Sequence, residues 1–383
     1  MTESPLDELT DYLDVVDDPR VVGRCAHRLI DILTIAICAV ISGADNWVEI
    51  EAYGQAKQPW LQTFLPLPHG IPSHDTFGRV FARIAPEQFR EGFMRWVVDL
   101  YARLVGAEES IAIDGKTLRR SHDRINGGQP LHLVSAWATQ SRLVLGQIAT
   151  EEKSNEITAI PQLLAMLDLK DSVISIDAMG CQRDITEQVK KGKGDYLLQV
   201  KGNQPTLYQR LKNLFVRAYE EGGLPVAHET ARSIGKGHGR IEQRRCWVVT
   251  DEDWLRYLQR DGTKERWIGL KAVVKVERKR RIGETVSVEE AYYITSLEGE
   301  AKRILTLIRG HWGIENSLHW VLDMAFREDE SRVRIGHAAE NLAILRHMAM
   351  NLLKQEQTLK IGIHAKRLRC GWDLDYLRRV LSV

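Results

Sequence analysis

The sequence has few of the features that mark disulfide-rich, membrane or secreted proteins. Its five cysteines are dispersed through 383 residues without a CxxC pair, which argues against a disulfide framework or a zinc ribbon and fits a reducing compartment. The longest apolar run, from Ile35 to Ile41, is too short to span a membrane. The first residues are acidic and do not resemble a signal peptide. We therefore expect a cytoplasmic protein.

Neither sign of charge is in excess, because the net charge is only +1. Any nucleic-acid surface must therefore come from local clusters of Lys and Arg. No Walker motif is present, so ATP is not implied, and HExxH is absent as well. The length predicts two or three domains and a large core.

Two stretches share one design, a short apolar run that ends in an aspartate. The first runs from Ser110 to Thr117 and contains Asp114, and the second runs from Val173 to Ala178 and contains Asp177. A buried Asp is costly unless it is paired or binds a metal. These two residues are therefore candidate metal ligands, although a single strand-end Asp is often only a turn or capping residue.

The pattern around these aspartates predicts a mixed α/β core. Strands are expected at 110–114, 131–139, 143–150, 173–177 and 195–201, with helices at 157–167 and 184–191. The first strand is followed by a meander, so we place it in the middle of the sheet. The helix before the fourth strand predicts a crossover to a parallel neighbour. Asp114 and Asp177 should then lie at the same end of neighbouring strands.

Residues 1–108 are predicted to form a helical N-terminal domain. Ser73 is the expected N-cap of a helix reaching Ile84, and Pro86 begins another. Two short helices across a turn are compatible with a helix-turn-helix that binds DNA. They are equally compatible with a packing or assembly domain, and both interpretations stay open.

The remaining chain divides into three further predicted parts. Residues 109–224 form the first part of the catalytic core, 225–296 form a β-rich insertion, and 297–383 complete the core. The insertion should contain strands at 240–249, 267–278 and 286–295. The last part is predicted to contain one long helix over 301–326, a helix over 338–354 and a basic C-terminal tail.

A third candidate carboxylate, Glu315, lies in the predicted helix 301–326. His311, Glu315, His319 and Asp323 are spaced by four residues and so should share one face. A separate zinc site on this face is disfavoured, because no Cys lies nearby. Apolar neighbours on several sides predict that Glu315 is buried. Asp114, Asp177 and Glu315 can together hold two divalent cations for in-line phosphoryl chemistry.

Basic residues cluster in the insertion and predict contacts with DNA phosphates. Such a cluster is otherwise a solvated sheet edge that prevents aggregation. A further cation follows the fifth strand and is expected near the same sheet end. The candidate contacts are Lys201, Arg240, Arg244, Arg245 and Lys275.

Five motifs resemble those of DDE-class bacterial insertion-sequence transposases, and closely the H-repeat-associated proteins. They are Ile113–Arg119, Ser175–Gly180, Gln199–Asn203, Gly237–Glu242 and Arg309–His319. The resemblance implies a ribonuclease-H-like core with a β-rich insertion before the last catalytic helix. It also implies that Asp114, Asp177 and Glu315 bind Mg²⁺ or Mn²⁺.

The same resemblance identifies double-stranded DNA, as element ends and as target, as the partner. Arg309, His311 and His319 are then candidate DNA contacts, and we expect a homodimer in the active complex. The Tyr-Arg-Glu-Lys pattern of related transposases is only partly met. Ile308, His311 and Leu322 stand where that pattern has Tyr, Arg and Lys.

The predicted function is metal-dependent cleavage at the ends of an insertion element, followed by strand transfer into target DNA. One alternative is a ribonuclease-H-fold nuclease that cuts without joining. Another is a catalytically inactive DNA-binding relic, which the presence of all three carboxylates disfavours.

Overall fold

The computed structural model describes residues 7–21, 23, 25–104, 109–122, 129–150, 156–220, 226, 228–237, 239–259 and 266–383. The chain divides into two compact units, each built from separate segments. The first unit contains Met1–Val105, Gly115–Asn155 and Glu315–Val383, and the second contains Gly106–Asp114 and Glu156–Ile314. The predicted boundary at 224/225 lies outside the described residues, and the fourfold domain division stays a prediction.

Nine strands are found in the described segments. They are β1 (Glu109–Thr117), β2 (His132–Ala138), β3 (Leu143–Thr150), β4 (Ser172–Ile176), β5 (Asp195–Val200), β6 (His228–Gly237), β7 (Arg240–Val249), β8 (Ala272–Ile282) and β9 (Thr285–Thr295). They form one mixed sheet in the order β3-β2-β1-β4-β5-β9-β8-β7-β6. β1 is parallel to β4 and β4 to β5, whereas β2 and β3 are antiparallel. This order confirms the predicted ribonuclease-H-like α/β core, with β1 inside the sheet.

The α-helices of the described residues account for most of the remaining chain. They are α1 (Asp7–Tyr12), α2 (Leu29–Ile41), α3 (Trp47–Leu61), α4 (His74–Phe81), α5 (Pro86–Leu104), α6 (Glu156–Ala165), α7 (Arg183–Lys191), α8 (Pro205–Glu220), α9 (Glu252–Leu258), α10 (Ala301–His311), α11 (Trp320–Phe326), α12 (Ala338–Gln355), α13 (Ile363–Trp372) and α14 (Leu374–Leu381). None of these described helices is both long and apolar enough to cross a membrane.

The first unit is organised around two buried helices, α2 and α12. α2 is apolar along nearly its whole length and packs against α12. Ser73 caps α4 as predicted, since its hydroxyl oxygen accepts a hydrogen bond from the Thr76 amide at 3.3 Å. Pro86 begins α5 at the position that its missing N–H favours. A DNA-binding role for these N-terminal helices stays a prediction.

The second unit continues the sheet with the antiparallel strands β6 to β9. β9 pairs with β5. The ends of β6–β9 that lie nearest to β5 bury an apolar cluster against α10. The far half of β9 exposes both of its faces, with residues 285–290 all exposed. The predicted β-rich character of this segment is confirmed, although β8 begins only at Ala272.

The predicted continuous helix over 301–326 is wrong. α10 ends at His311, a π-helical turn occupies Glu315–His319, and α11 begins at Trp320. A π turn contains about one residue more than an α-helical turn, so it rotates the side chains that follow it. The prediction from a regular four-residue spacing did not include this rotation.

The predicted basic C-terminal tail is folded into two helices. It forms α13 and α14, and two of its cations, Lys366 and Arg367, are buried. The Arg367 guanidinium donates hydrogen bonds to the carbonyl oxygens of Val40 and Ala44, each at 3.0 Å or less. These cations satisfy backbone groups of the first unit instead of facing solvent.

We expect Gly336→Ala to destabilise the first unit by about 2 kcal/mol. Gly336 has φ +52, and an added Cβ would lie 2.4 Å from the Ala82 carbonyl oxygen, a backbone atom. Urea unfolding measures the change. Gly202→Ala is the control, because its Cβ would meet no atom within 4 Å. Equal stability of the two variants would contradict this explanation.

Candidate active site

Asp114 and Asp177 occupy equivalent positions on neighbouring parallel strands. The register pairs Glu109 with Ser172 and ends with Ile113 opposite Ile176. Asp114 is the next residue of β1, which runs on to Thr117, and Asp177 is the first residue after β4. The register therefore confirms that the two aspartates lie side by side on neighbouring strands, although the predicted end of the first strand at Asp114 is wrong.

The Asp177 carboxylate is held by the turn that follows β4. Its oxygen accepts a hydrogen bond from the Met179 amide at 2.9 Å and so caps the turn Ala178–Gly180. Burial raises the pKa of Asp177 above its ordinary value, although the Met179 amide and the charge of Lys201 act in the opposite direction. The ionised form therefore lacks full compensation from the protein, which favours a nearby cation.

His311 connects α10 to β4 and is buried. Its Nδ1 lies 3.2 Å from Ser175 Oγ, in hydrogen-bond contact, and the side chain belongs to the buried polar set. Ser175 precedes Asp177 by two residues. The burial of His311 gives a DNA-contact role no support and instead indicates that it fixes the end of α10 against the Asp177 strand.

Glu315 is solvent-accessible, contrary to the prediction that it is buried. Its side chain is 58% exposed, because Trp312 and Trp320 beside it face solvent while Ile314 and Leu318 pack inward. His319 is buried, with its Nδ1 3.8 Å from Glu315 Oε2. Both side chains offer ligand atoms that suit a metal ion, and so does Asp114. His319 was predicted as a DNA contact and not as a ligand.

The positions that depart from the Tyr-Arg-Glu-Lys pattern serve packing. Ile308 is 4% exposed and Leu322 is 2% exposed. Apolar side chains at these places contribute to the core and cannot pair with DNA phosphates. Substitution of these roles by the neighbouring Arg309 and Asp323 stays a prediction.

An ionic cluster that the sequence analysis missed follows Asp114 on β1. Lys116 Nζ lies 2.5 Å from Asp323 Oδ1 and 2.7 Å from Glu328 Oε2. Glu328 is fully buried and also faces Arg346, with 3.7 Å between Oε1 and the guanidinium. Lys116 thus joins the end of β1 to α11 and the turn after it. A Lys in a DGK segment gives no local signal that its partners lie more than two hundred residues away.

The predicted DNA contacts on the insertion occupy different environments. Arg240 and Arg244 both lie beside Glu242, and Arg244 donates a hydrogen bond to it. Arg245 stacks over the Trp247 ring at 4.5 Å. Lys275 is 8% exposed and its Nζ lies 2.6 Å from Glu290 Oε1, so its charge is already compensated. Lys201 and Arg309 are exposed.

One face of the insertion carries further exposed cations of the predicted basic clusters, which are Arg232, Lys236, Lys279 and Arg281. Cross-strand pairing aligns Arg232 with Arg245 and Gln243 with Lys279. Lys236 and Arg281 lie farther along the same face, and both are exposed. Within the described residues, no ion pair involves any of Arg232, Lys236, Lys279 or Arg281.

Comparison with known proteins connects this arrangement to one family. Residues 106–352 match the family described as "Transposase DDE domain", and residues 10–97 match a domain described as "DDE_Tnp_1-associated". The chain is 41% identical over 381 residues to "H repeat-associated putative transposase YhhI" of Escherichia coli (strain K12), covering 98% of both chains.

Two further relatives carry the word transposase in their names. The chain is 41% identical over 382 residues to "Putative transposase YncI" of Escherichia coli O157:H7, covering 98% of this chain and 95% of the relative. A shorter relative, "Inactive transposase YbfQ" of Escherichia coli (strain K12), is 38% identical over 78 residues, which cover 20% of this chain and 93% of the relative. Matched over most of its length, the chain belongs to the DDE transposases and is a relative of the H repeat-associated proteins.

Proposed function

We propose that this transposase cleaves phosphodiester bonds at the ends of its insertion element and transfers the freed 3′-hydroxyl into target DNA. The observation that carries the proposal is the register of β1 and β4, which sets Asp114 beside Asp177 in a chain of this family. Paired carboxylates on neighbouring strands are suited to holding divalent cations next to a phosphate.

Asp114, Asp177 and Glu315 are the proposed ligands for two Mg²⁺ or Mn²⁺ ions. Their carboxylate oxygens match the preference of these hard cations. The raised pKa of Asp177 supports the assignment, because a neighbouring cation would compensate its buried charge. Glu315 is exposed, and it follows α10, whose last residue His311 contacts the Asp177 strand. The bound ions would supply Lewis-acid activation of the attacking oxygen and neutralise charge on the phosphate.

Other residues of the chain would bind and orient the DNA. Lys201 is exposed and influences the charge state of Asp177, so it is suited to a phosphate near the scissile bond. Arg309 is exposed in the last turn of α10, six residues before Glu315 in the sequence. The N-terminal helices are proposed to bind DNA or to support assembly, and the active complex is proposed to be a homodimer.

The test is to incubate the purified protein with its own element ends, target plasmid and Mg²⁺ or Mn²⁺, resolving the products strand by strand. We expect 3′-hydroxyl ends at the element boundary and joined products with the plasmid. Cutting without joining would identify a nuclease and refute the strand-transfer step. Binding without either product would identify an inactive relic.

The insertion is predicted to bind the DNA backbone through its unpaired cations. Lys279→Ala with Arg281→Ala should weaken binding to any duplex and reduce the slope of log K against log salt by about 2. Arg240→Ala with Arg244→Ala should have a smaller effect in the same direction, because Glu242 already compensates part of their charge. Filter binding or fluorescence anisotropy over a salt series measures both.

Lys271→Ala is the matched control for this experiment. Lys271 lies before β8 and its Nζ is 2.6 Å from Glu298 Oε1, so its charge is compensated at the base of the insertion. Its removal should leave the salt slope unchanged. A wild-type salt slope in the Lys279 and Arg281 double variant would rule out this surface as a phosphate contact.

A further inference from the structure

A groove in the first unit lies outside the proposed catalytic carboxylates. Its volume is about 530 Å³, within the size range of ligand-binding clefts. α11 forms one wall, and the turn between β2 and β3 forms another. The C-terminal end of α12 and the segment leading into α13 complete it.

The rim of this groove exposes unusually large apolar side chains. Trp320 is 59% exposed, Met324 is 60% exposed and Ile361 is 44% exposed. Trp320 and Met324 are four residues apart on α11, so they lie on one face of that short helix. A flat aromatic ring kept in solvent beside a polarisable side chain is suited to stacking against another ring system.

The charges that line the groove all have one sign. Arg142, Lys354, Lys360 and Lys366 line it, and none of the described residues brings a carboxylate to it. Lys366 is buried and donates to the carbonyl oxygens of Leu353 and Glu356, so it serves the fold. Arg142 and Lys360 are exposed, and the described part of the chain offers neither an ion pair.

The groove is held in a fixed form by hydrogen bonds that do not involve these cations. Asn351 in α12 accepts from the Val144 amide at 2.8 Å and donates to the Val144 carbonyl at 2.9 Å. Gln355 donates to the Ser141 carbonyl at 2.9 Å. These contacts fix the turn that carries Arg142 against the end of α12. Lys354 lies at the same end of α12. Burial lowers the pKa of Lys354, and the charges of Arg142 and Lys366 lower it further.

We infer that this groove binds single-stranded DNA, with one base stacked on Trp320 and the flanking phosphates paired with Arg142 and Lys360. An aromatic platform beside unpaired cations is the combination that binds single strands without sequence readout. Cleavage of one strand at an element end frees a strand end that can leave the duplex, so this inference rests on the proposed function. A second copy of this chain docked through the same groove is disfavoured as occupant, because it would place the same cations against Arg142, Lys354 and Lys360.

The test uses the full-length protein in EDTA and a fluorescein-labelled single-stranded oligodeoxynucleotide, with affinity read by anisotropy. Trp320→Ala should weaken binding about tenfold, and Trp320→Phe should restore most of it. Arg142→Ala with Lys360→Ala should reduce the salt slope by about 1.4. Trp372→Ala is the control, because Trp372 is 76% exposed on α13 and does not line the groove, and its affinity should be unchanged.

Wild-type affinity in Trp320→Ala would overturn the inference, as would an equal loss in Trp372→Ala. A change of oligomeric state in Trp320→Ala without a change of oligonucleotide affinity would identify an interface between copies and overturn it as well. The metal-free assay separates this result from the proposed function. A wild-type protein that binds through Trp320 but never cleaves would refute the function and leave the groove assignment intact.

Discussion

Asp114→Asn, Asp177→Asn and Glu315→Gln should each lose DNA cleavage and strand transfer together, by about 10³-fold or more. Each substitution keeps the shape of the side chain and removes one negative charge. Hard divalent cations depend on that charge, and one pair of ions is proposed to serve both steps. Gel assays of cleaved and joined products with Mn²⁺ measure the effect.

Folding and DNA binding should survive these three substitutions. Asp177→Asn should slightly raise thermal stability in metal-free buffer, because burial already disfavours the ionised carboxyl. We expect Mn²⁺ to raise the melting temperature of the wild type but not that of the three variants. This stabilisation by bound metal is a readout that does not depend on activity.

Glu330→Gln is the matched control for Glu315→Gln. Its side chain is 56% exposed, close to the 58% of Glu315, and it pairs only with Arg327 within the described contacts. Asp323→Asn is less suitable, since Asp323 is bonded to Lys116. If Glu315→Gln cut DNA normally, the third ligand would be another residue. Wild-type rates in all three variants would refute the metal site itself.

Glu328→Gln should lower the free energy of unfolding by about 3 kcal/mol or more. Glu328 is buried beside Lys116 and Arg346, and a neutral amide would remove the carboxylate that faces Arg346 and leave Lys116 with Asp323 alone. Urea unfolding measures the loss. Glu330→Gln, two residues away and exposed, should change stability by no more than about 0.5 kcal/mol. Equal effects at the two positions would show that the buried cluster is not stabilising.

A double-mutant cycle tests whether Lys116 and Glu328 act as a pair. Lys116→Met alone leaves Glu328 with Arg346 at 3.7 Å and removes the nearer cation. The combined Lys116→Met and Glu328→Gln variant should lose less stability than the sum of the single variants. Simple additivity would mean that the two side chains contribute independently.

The same cluster predicts that the protein is destabilised by acid. Burial would raise the pKa of Glu328, but Lys116 and Arg346 hold it below its ordinary value of 4.5. The contribution of Glu328 to stability is therefore complete above that value and is lost as the pH falls through its folded pKa.

Burial lowers the pKa of His347 from 6.5 to about 4, so the stability of the folded protein falls as the pH decreases between these values. His347→Gln should flatten the upper part of this dependence.

The core strands could be predicted from the sequence because their signals are local. The apolar runs before Asp114 and Asp177 specify buried strands, and the helix before the second specifies a parallel crossover. The position of each aspartate relative to the other then follows from sheet geometry alone. Ser73 was predictable for a similar reason, since an N-cap is decided within one helical turn.

The features that could not be predicted depend on partners far away in the chain. Lys116 and Arg367 look like ordinary surface cations until Glu328 and the carbonyl oxygens at 40 and 44 are brought to them. Glu315 begins the π turn, for which the local sequence gives no clear signal. Apolar neighbours therefore predicted burial for a side chain that faces solvent.

The discontinuous construction of the first unit has a consequence for synthesis of the protein. α2 is complete at Ile41, but its packing partner α12 begins only at Ala338, roughly three hundred residues later. At about 5–20 residues per second, translation separates them by roughly 15–60 s. During that interval an almost wholly apolar helix lacks its partner and is exposed to aggregation or chaperone capture. A product terminated before α12 would keep both aspartate strands and Glu315 in its sequence and still be unable to complete the first unit.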